Sequence, residues 1–178
     1  MYHIKADKRA EKSVELICTG LLDCLEQKEF SQISISDIQR ASTVSRSTFY
    51  RNFDSLDDVL ALLCDRGFDE ILRSGSDAVN LAAFHYWYAH GRLLEAILSS
   101  GKTAVFTDSL RRCIARAGHA SALFADATRF DYFASTVAHV MLGILAAWIG
   151  RGKKESEEEL LLILRDSFSA VSLLGLMA

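Results

Sequence analysis

The 178-residue chain contains no proline, although average usage would place about nine in a chain of this length. Proline interrupts helix interiors and favours turns, so its absence favours a chain built mostly from helices. Half of the residues are hydrophobic, which is enough to bury a substantial core. The length allows one medium domain, or a small domain joined to a larger one.

The sequence also lacks an excess of either charge, with a formal net charge of −3. Residues 1–53 contain eight Lys or Arg and seven Asp or Glu. A strongly basic chain would indicate nucleic-acid binding through its overall field. Any contact with nucleic acid must here depend on the local placement of Arg and Lys.

Motifs that carry catalysis or metal binding are missing as well. There is no nucleophile elbow, P-loop, G-x-G-x-x-G or paired His/Glu spacing, so neither an enzyme nor a cofactor is predicted. His85 and His90 are five residues apart, which does not place them on one helical face, and no metal site is predicted. The four cysteines, none spaced as Cys-x-x-Cys, are expected to be small buried side chains of a cytoplasmic protein.

No membrane anchor is predicted either. The polar start at residues 1–5 is not typical of a secretion signal. Residues 132–150 carry no Asp, Glu, Lys or Arg and approach the length needed to cross a bilayer. However, polar side chains and two glycines dilute this run, which favours a helix covered by protein neighbours.

What is present in the N-terminal third is helical periodicity. Apolar residues spaced for one helix face predict a helix over 7–28, two short helices over 35–41 and 45–52, and another over 56–72. The break at 42–44 makes the short pair a helix-turn-helix. Its inward-facing residues are predicted to be Ile38, Ala41, Val44, Phe49 and Phe53.

The remaining sequence predicts further helices over 78–99, 103–117, 130–149 and 157–176, whereas 118–128 is either a loop or a short helix. Helix starts are marked by hydroxyl residues followed three positions later by an acid, a pattern typical of capping boxes. These caps are Ser34 with Asp37, Ser55 with Asp58, and Ser156 with Glu159; Ser45 alone is predicted to cap the second short helix.

Residues 33–53, and above all Val44-Ser-Arg-Ser-Thr-Phe-Tyr-Arg-Asn-Phe53, resemble the signature of the TetR family of transcription regulators. The resemblance extends over about residues 8–65. It implies an all-α protein with a three-helix helix-turn-helix DNA-binding domain at 1–54, a connecting helix at 55–75, and a larger helical dimerisation and ligand-binding domain at 76–178.

The resemblance implies that the second short helix enters the major groove of operator DNA. With the apolar residues turned inward, Arg46 is the candidate for reading a guanine edge, while Tyr50 and Arg51 are expected to hold phosphates. The predicted DNA-contacting residues are Ser34, Ser36, Thr43, Ser45, Arg46, Ser47, Thr48, Tyr50 and Arg51.

The sequence departs from the family pattern at the turn and at the connecting helix. Thr43 stands where family members usually have Gly, and Leu56 where many have Lys. Asp54, Asp57 and Asp58 make the latter region acidic. We therefore expect weaker non-specific affinity and a shallower salt dependence, and the alternative of a helical adaptor acting through a protein partner stays open.

The resemblance further implies a homodimer, formed through the helices at 130–149 and 157–176 and bound to a palindromic operator. It also implies a ligand-responsive regulator, most commonly a repressor, whose effector would be small and apolar or aromatic. Plain core is the alternative role for the side chains that could line its pocket. These are Phe84, Tyr86, Trp87, Tyr88, Phe106, Phe124, Phe133, His139 and Trp148.

Overall fold

The computed structural model describes residues 2–4, 7–74, 79–117 and 126–173. Within these ranges the chain is entirely helical, which confirms the predicted all-α fold. Nine α-helices are described: α1 Lys8–Leu25, α2 Ile35–Ser42, α3 Arg46–Asn52, α4 Leu56–Arg73, α5 Val79–Ala89, α6 Gly91–Ser99, α7 Thr103–Ala117, α8 Ala127–Gly150 and α9 Glu157–Leu173. A 3₁₀ turn at Phe30–Gln32 joins α1 to α2.

The two helices of the helix-turn-helix begin at the predicted caps. The Ser34 hydroxyl accepts from the Asp37 backbone N at 3.2 Å, while the Asp37 carboxylate accepts from the Ser34 backbone N at 2.9 Å. The Ser45 hydroxyl accepts from the Thr48 backbone N at 3.2 Å. These bonds satisfy backbone donors that a helix start leaves without partners.

The turn between α2 and α3 contains a residue with a left-handed backbone, and one residue predicted to be buried there is exposed. Thr43 ends α2 with φ at 58°, a left-handed conformation that glycine adopts most readily. Ala41 is exposed rather than buried, and Ser42 takes the inward position. Ser42 faces Gly20 of α1, where a Cβ would lie 3.1 Å from the Ser42 Cβ, so the two helices pack closely there.

One hydrophobic core runs through the described parts of the molecule. It joins apolar residues of α1 and the helix-turn-helix to the inner face of α4 and onward to α5–α8. Phe49 and Phe53 lie in it as predicted, and so does Phe68 of α4. All four cysteines are free and buried, as predicted, and burial raises the pKa of the Cys18 thiol to about 11.

Helix boundaries in the C-terminal region differ from the sequence prediction at one point in particular. The predicted helix over 78–99 is two helices, because the backbone at His90 leaves the helical region with ψ at 37°. Gly91 follows, and a Cβ there would lie 3.4 Å from the Trp148 ring. The break therefore lets α6 pack tightly against α8. Residues 75–78 and 118–125 lie outside the described residues, so the predicted domain boundary near 75 stays a prediction.

Candidate nucleic-acid interface

Helix α3 turns one face into the core and the other to solvent. Phe49 is buried on the inner face, whereas Arg46, Ser47 and Arg51 are exposed and the Tyr50 ring is 42% exposed. This is the orientation that the sequence predicted for the recognition helix. Along α3, the short side chains of Ser47 and Thr48 lie between the cations Arg46 and Arg51. Short side chains allow a helix to approach a nucleic-acid groove closely.

Four of the residues predicted to contact DNA precede α3 in the chain. Ser34 and Ser36 lie at the exposed start of α2, and Thr43 lies exposed in the turn. The Ser45 hydroxyl lies 3.0 Å from that of Ser47 and 2.9 Å from that of Thr48. The hydroxyls of Ser45, Ser47 and Thr48 therefore form one polar cluster, and that of Ser45 also serves as the helix cap.

Arg46 is held over its neighbour one turn along the helix. Its guanidinium carbon lies 5.6 Å from the centre of the Tyr50 ring, and its Nη2 donates to the Tyr50 hydroxyl at 3.5 Å. The Tyr50 ring in turn packs edge-on against Phe49 at 5.6 Å. A cation stacked on a ring that is anchored in the core loses less freedom when it binds a base or a phosphate.

The start of α1 lies beside α3 and adds positive charge to the same surface. A groove of about 420 Å³ separates the two helices, and Arg9 and Lys12 line one side of it while Thr48 and Arg51 line the other. The sequence showed the cluster of cations at the start of α1 but not its position. Only the tertiary packing of α1 on α3 brings them together.

The exposed cations of α1 and α3 differ from their neighbours in their ion pairing. We call these residues the basic face: Lys8, Arg9, Lys12, Arg46 and Arg51. Across the described ranges, none of the five has a carboxylate within 4.0 Å. Neighbouring cations of the same region are paired, for example Lys28 with Asp37 at 2.8 Å and Arg66 with Glu15 at 2.8 Å. Arg9, Lys12 and Arg51 line one groove between α1 and α3, and cations without an ion-pair partner among the described residues are available to an external anion, although the chain as a whole is acidic.

The acids Asp57 and Asp58 at the start of α4 make contacts within the protein. Asp57 pairs with Lys102 at 2.6 Å, and the Asp58 carboxylate accepts from the backbone N of Asp54 and Ser55. These acids therefore have structural roles, and the region offers no cation at Leu56. The absence of a cation at Leu56 supports the expectation that α4 makes little contact with phosphate, which stays a prediction.

The residues predicted to line a ligand pocket separate into two groups. Phe84, Trp87 and Phe106 are buried core residues, and the rings of Trp87 and Phe106 pack 4.9 Å apart. Trp87 is fully buried, and its Nε1 has no hydrogen-bond partner in the described structure. Tyr86 packs next to this group against Gly67.

The second group lies apart from the first. Tyr88 stacks on Trp148 at 4.8 Å, Phe133 is half-buried, and His139 is exposed on α8. Phe124 lies outside the described residues. The structure thus packs Tyr86 and Phe106 against Trp87, and His139 is exposed on α8. A cleft of about 710 Å³ lies elsewhere, between the end of α1, α6 and the end of α8.

Known proteins resemble this chain in sequence over part of its length. No family model matches. Over 70 residues the chain is 27% identical to the HTH-type dhaKLM operon transcriptional activator DhaS of Lactococcus lactis, covering 39% of this chain and 37% of that protein. Over 67 residues it is 33% identical to the uncharacterized HTH-type transcriptional regulator YxbF of Bacillus subtilis, covering 37% of this chain and 18% of that protein. The chain therefore matches less than two fifths of the length of these relatives.

Solved structures extend the likeness to the whole fold. Lin0861 from Listeria innocua superposes with a TM-score of 0.77 at 19% identity, covering 95% of this chain and 96% of that one. The dihydroxyacetone kinase operon activator DhaS superposes with a TM-score of 0.61 at 18% identity, covering 89% and 94%. These likenesses establish a shared all-helical architecture, and the sequence matches show that part of the chain is similar to HTH-type transcription regulators.

Proposed function

We propose that this chain is a sequence-specific DNA-binding transcription regulator of the TetR kind. The single observation that carries the proposal is the basic face, which surrounds the exposed side of a capped helix-turn-helix. DNA is a dense array of phosphates, and unpaired Lys and Arg on one surface are what neutralise it. The sequence similarity of part of the chain to HTH-type regulators supports the same conclusion.

In the proposed complex, α3 lies in the major groove. Arg46 reaches a guanine edge, and the short side chains of Ser47 and Thr48 allow the helix to approach the bases. Arg51 and Tyr50 hold one stretch of backbone, while Arg9 and Lys12 hold phosphates through the groove beside α3. Base contacts supply sequence preference, whereas phosphate contacts fix the position of the helix.

We propose that the active form is a homodimer paired through α8 and α9. Tyr132 on α8 is 74% exposed, and Leu162 and Ile163 on α9 are 48% and 46% exposed. α8 is long and apolar enough to cross a membrane, yet only 33% of its most apolar window is buried in the protomer. A partner copy covering this apolar surface accounts for it, and two α3 helices one duplex turn apart would then read a palindrome.

The proposed regulation is a two-state transition in which an effector moves α4. A small apolar or aromatic effector would bind near Trp87, whose buried Nε1 provides a donor that the described structure leaves unused. Its binding would shift α4 and change the spacing of the two α3 helices, so effector and operator affinities would be reciprocally coupled. Repression is the proposed outcome, and transcription from an operator-containing promoter tests its sign.

The adaptor alternative was motivated by the acidic start of α4. Because Asp57 and Asp58 are committed to contacts within the protein, that motive is weakened and the regulator is the better-supported function. An adaptor would form a stable complex with a protein and bind no DNA with preference.

The test is capture of genomic DNA fragments by the purified protein, with Arg46→Ala and Arg165→Ala as matched variants. Arg165 is exposed on α9 and pairs with Asp166, so its loss leaves the basic face intact. Enrichment of a short palindrome by the wild type and by Arg165→Ala, but not by Arg46→Ala, supports the proposal. Failure of the wild type to enrich any sequence contradicts it.

A further inference from the structure

Residues 2–4 form a short segment that crosses from α3 to α4. The backbone N of His3 donates to the carbonyl of Asn52, the last residue of α3, at 3.0 Å. Tyr2 and Ile4 pack against the hydrophobic core on either side of it. The segment therefore donates a hydrogen bond to a carbonyl that the end of a helix leaves without a partner. This bond attaches the end of α3 to residues 2–4.

The segment ends at a buried carboxylate in the middle of α4. Asp65 is 5% exposed, and its Oδ2 accepts from the Tyr2 hydroxyl at 2.7 Å. Its Oδ1 accepts from the Arg112 guanidinium of α7 at 2.8 Å. Arg112 also donates to the hydroxyl of Ser109 at 3.0 Å. One carboxylate thus joins the N-terminal segment, α4 and α7.

The electrostatics keep this carboxylate charged. Burial acts to raise the pKa of Asp65, but hydrogen bonds from Tyr2, Arg112 and Ser109 outweigh it and leave the pKa below its ordinary value. Burial, followed by the bond to Asp65, raises the pKa of Tyr2 to about 12, so the phenol remains a donor at neutral pH. Hydrogen bonds to a buried charge are among the stronger ones in proteins.

We propose that Tyr2 and Asp65, with Arg112, are positioning residues that hold α3 at the angle to α4 and α7 required for operator binding. The inference rests on the proposed function and identifies the contact through which the C-terminal helices act on α3. The connection runs from the α3 carbonyl at Asn52 through residues 2–4 to Asp65 and then to α7. Helix α7 packs on α4, so a displacement of α7 pulls on Arg112 and through it on the segment.

A neighbouring ion pair provides a matched control. One turn along the same two helices, Asp69 of α4 pairs with Arg116 of α7 at 2.6 Å. This pair joins α4 to α7 without the N-terminal segment. The Asp69 side chain is 42% exposed and that of Asp65 is 7% exposed, so loss of the Asp69 pair should cost less stability. Tyr2→Phe leaves both ion pairs in place, so its effect on DNA binding separates a positioning role from a purely structural one.

The experiment compares Tyr2→Phe, Asp65→Asn and Asp69→Asn in the full chain, using the palindrome that the wild type selects. Tyr2→Phe keeps the ring in the core and removes only the hydroxyl. We expect it to weaken operator binding about tenfold, the equivalent of one hydrogen bond to a charged group. Asp65→Asn should weaken binding at least as much, and Asp69→Asn should leave the dissociation constant within about twofold, a change too small to reflect a lost charged bond.

Hydrogen exchange of the free protein supplies a second readout that needs no DNA. Loss of the Tyr2 hydroxyl should speed amide exchange in α3, because the segment that caps its end is released, whereas Asp69→Asn should not. Unchanged operator binding and unchanged α3 exchange in Tyr2→Phe would overturn the inference while leaving the proposed function intact. Equal effects of Asp65→Asn and Asp69→Asn would also overturn it. A wild type that binds no DNA would contradict the proposed function, and the exchange data would then decide the inference alone.

Discussion

The cations of the basic face and most cations of the C-terminal helices differ in their ion pairing among the described residues. Around α7 and the end of α8, Arg116 pairs with Asp69, Arg151 with Glu155, and Lys153 with Glu95. On the basic face, Arg46, Arg51 and Lys12 have no such partner among the described residues. Surface pairs contribute little to stability, but each one removes a cation from the set available to an external anion.

The difference teaches that the sum of charges hides the functional surface. The formal net charge is −3, and the first 53 residues are nearly balanced. Asp69 is matched by Arg116 across α4 and α7, while Asp7 at the basic face is used as the cap of α1, accepting from two backbone N atoms. A local positive surface therefore survives in an acidic chain, and four predictions follow from this comparison, in order of expected size.

The largest effect should come from separating the two copies of the basic face. Ile163→Asp places a charge on the exposed apolar face of α9 and should convert the proposed dimer to a monomer, which light scattering would measure. Operator affinity should fall by about 10² or more, because two linked half-site contacts become one. Thr19→Asp, an exposed position on α1, is the control with the same added charge. A variant that remains dimeric would place the interface elsewhere.

The next effect should come from the base-reading position. Arg46→Ala should weaken operator binding by about 10- to 100-fold and relax preference at one base pair of each half-site. Arg165→Ala, which removes a paired cation from α9, should leave affinity unchanged. Fluorescence anisotropy with the operator and its single-base variants would measure both. Equal losses in the two variants would break the comparison, because any lost positive charge would then have the same effect.

A smaller and different effect is expected from the groove beside α3. Lys12→Ala and Arg51→Ala should weaken binding to all sequences alike, and each should reduce the dependence of log affinity on log salt by about one. Binding measured at a series of salt concentrations gives this slope. Lys28→Ala is the control, since that lysine is committed to Asp37. An unchanged slope in Lys12→Ala would remove α1 from the interface.

The smallest effect concerns acid stability of the paired region. A hydrogen bond from Lys28, followed by bonds from the Ser34 backbone and hydroxyl, holds the pKa of Asp37 well below its ordinary value. The folded state then binds fewer protons than the unfolded state, so this contribution is complete above about pH 4 and is lost as the pH falls further. Asp37→Asn should lose less of its free energy of unfolding than the wild type below that pH. Parallel acid curves for the two proteins would contradict the assignment.

Local chemistry explains how much of this could be predicted from the sequence. The caps at Ser34 and Ser45 are contacts within four residues, so the bounds of α2 and the start of α3 follow from the pattern. The inward position of Ser42 depends on Gly20, and the break at His90 depends on how Gly91 meets Trp148. Those contacts join distant parts of the chain, and periodicity alone does not reveal them.

In the candidate site, too, local features could be predicted from the sequence, whereas contacts between distant parts of the chain could not. The exposed face of α3 could be predicted, because Phe49 and Phe53 fix which side is buried. The approach of Arg9 and Lys12 to α3 could not, since α1 and α3 meet only after folding. Among the predicted pocket residues, helical periodicity did not distinguish the buried group around Trp87 from exposed His139.

The most direct test of the account is chemical protection of lysine and arginine side chains by operator DNA, read out by mass spectrometry. Lys8, Lys12, Arg46 and Arg51 are exposed cations of the basic face, and Lys154 and Arg165 are exposed cations of the C-terminal region. The account predicts that DNA slows modification of the first group and leaves the second group unchanged. Equal protection of both groups, or protection confined to Lys154 and Arg165, would contradict it.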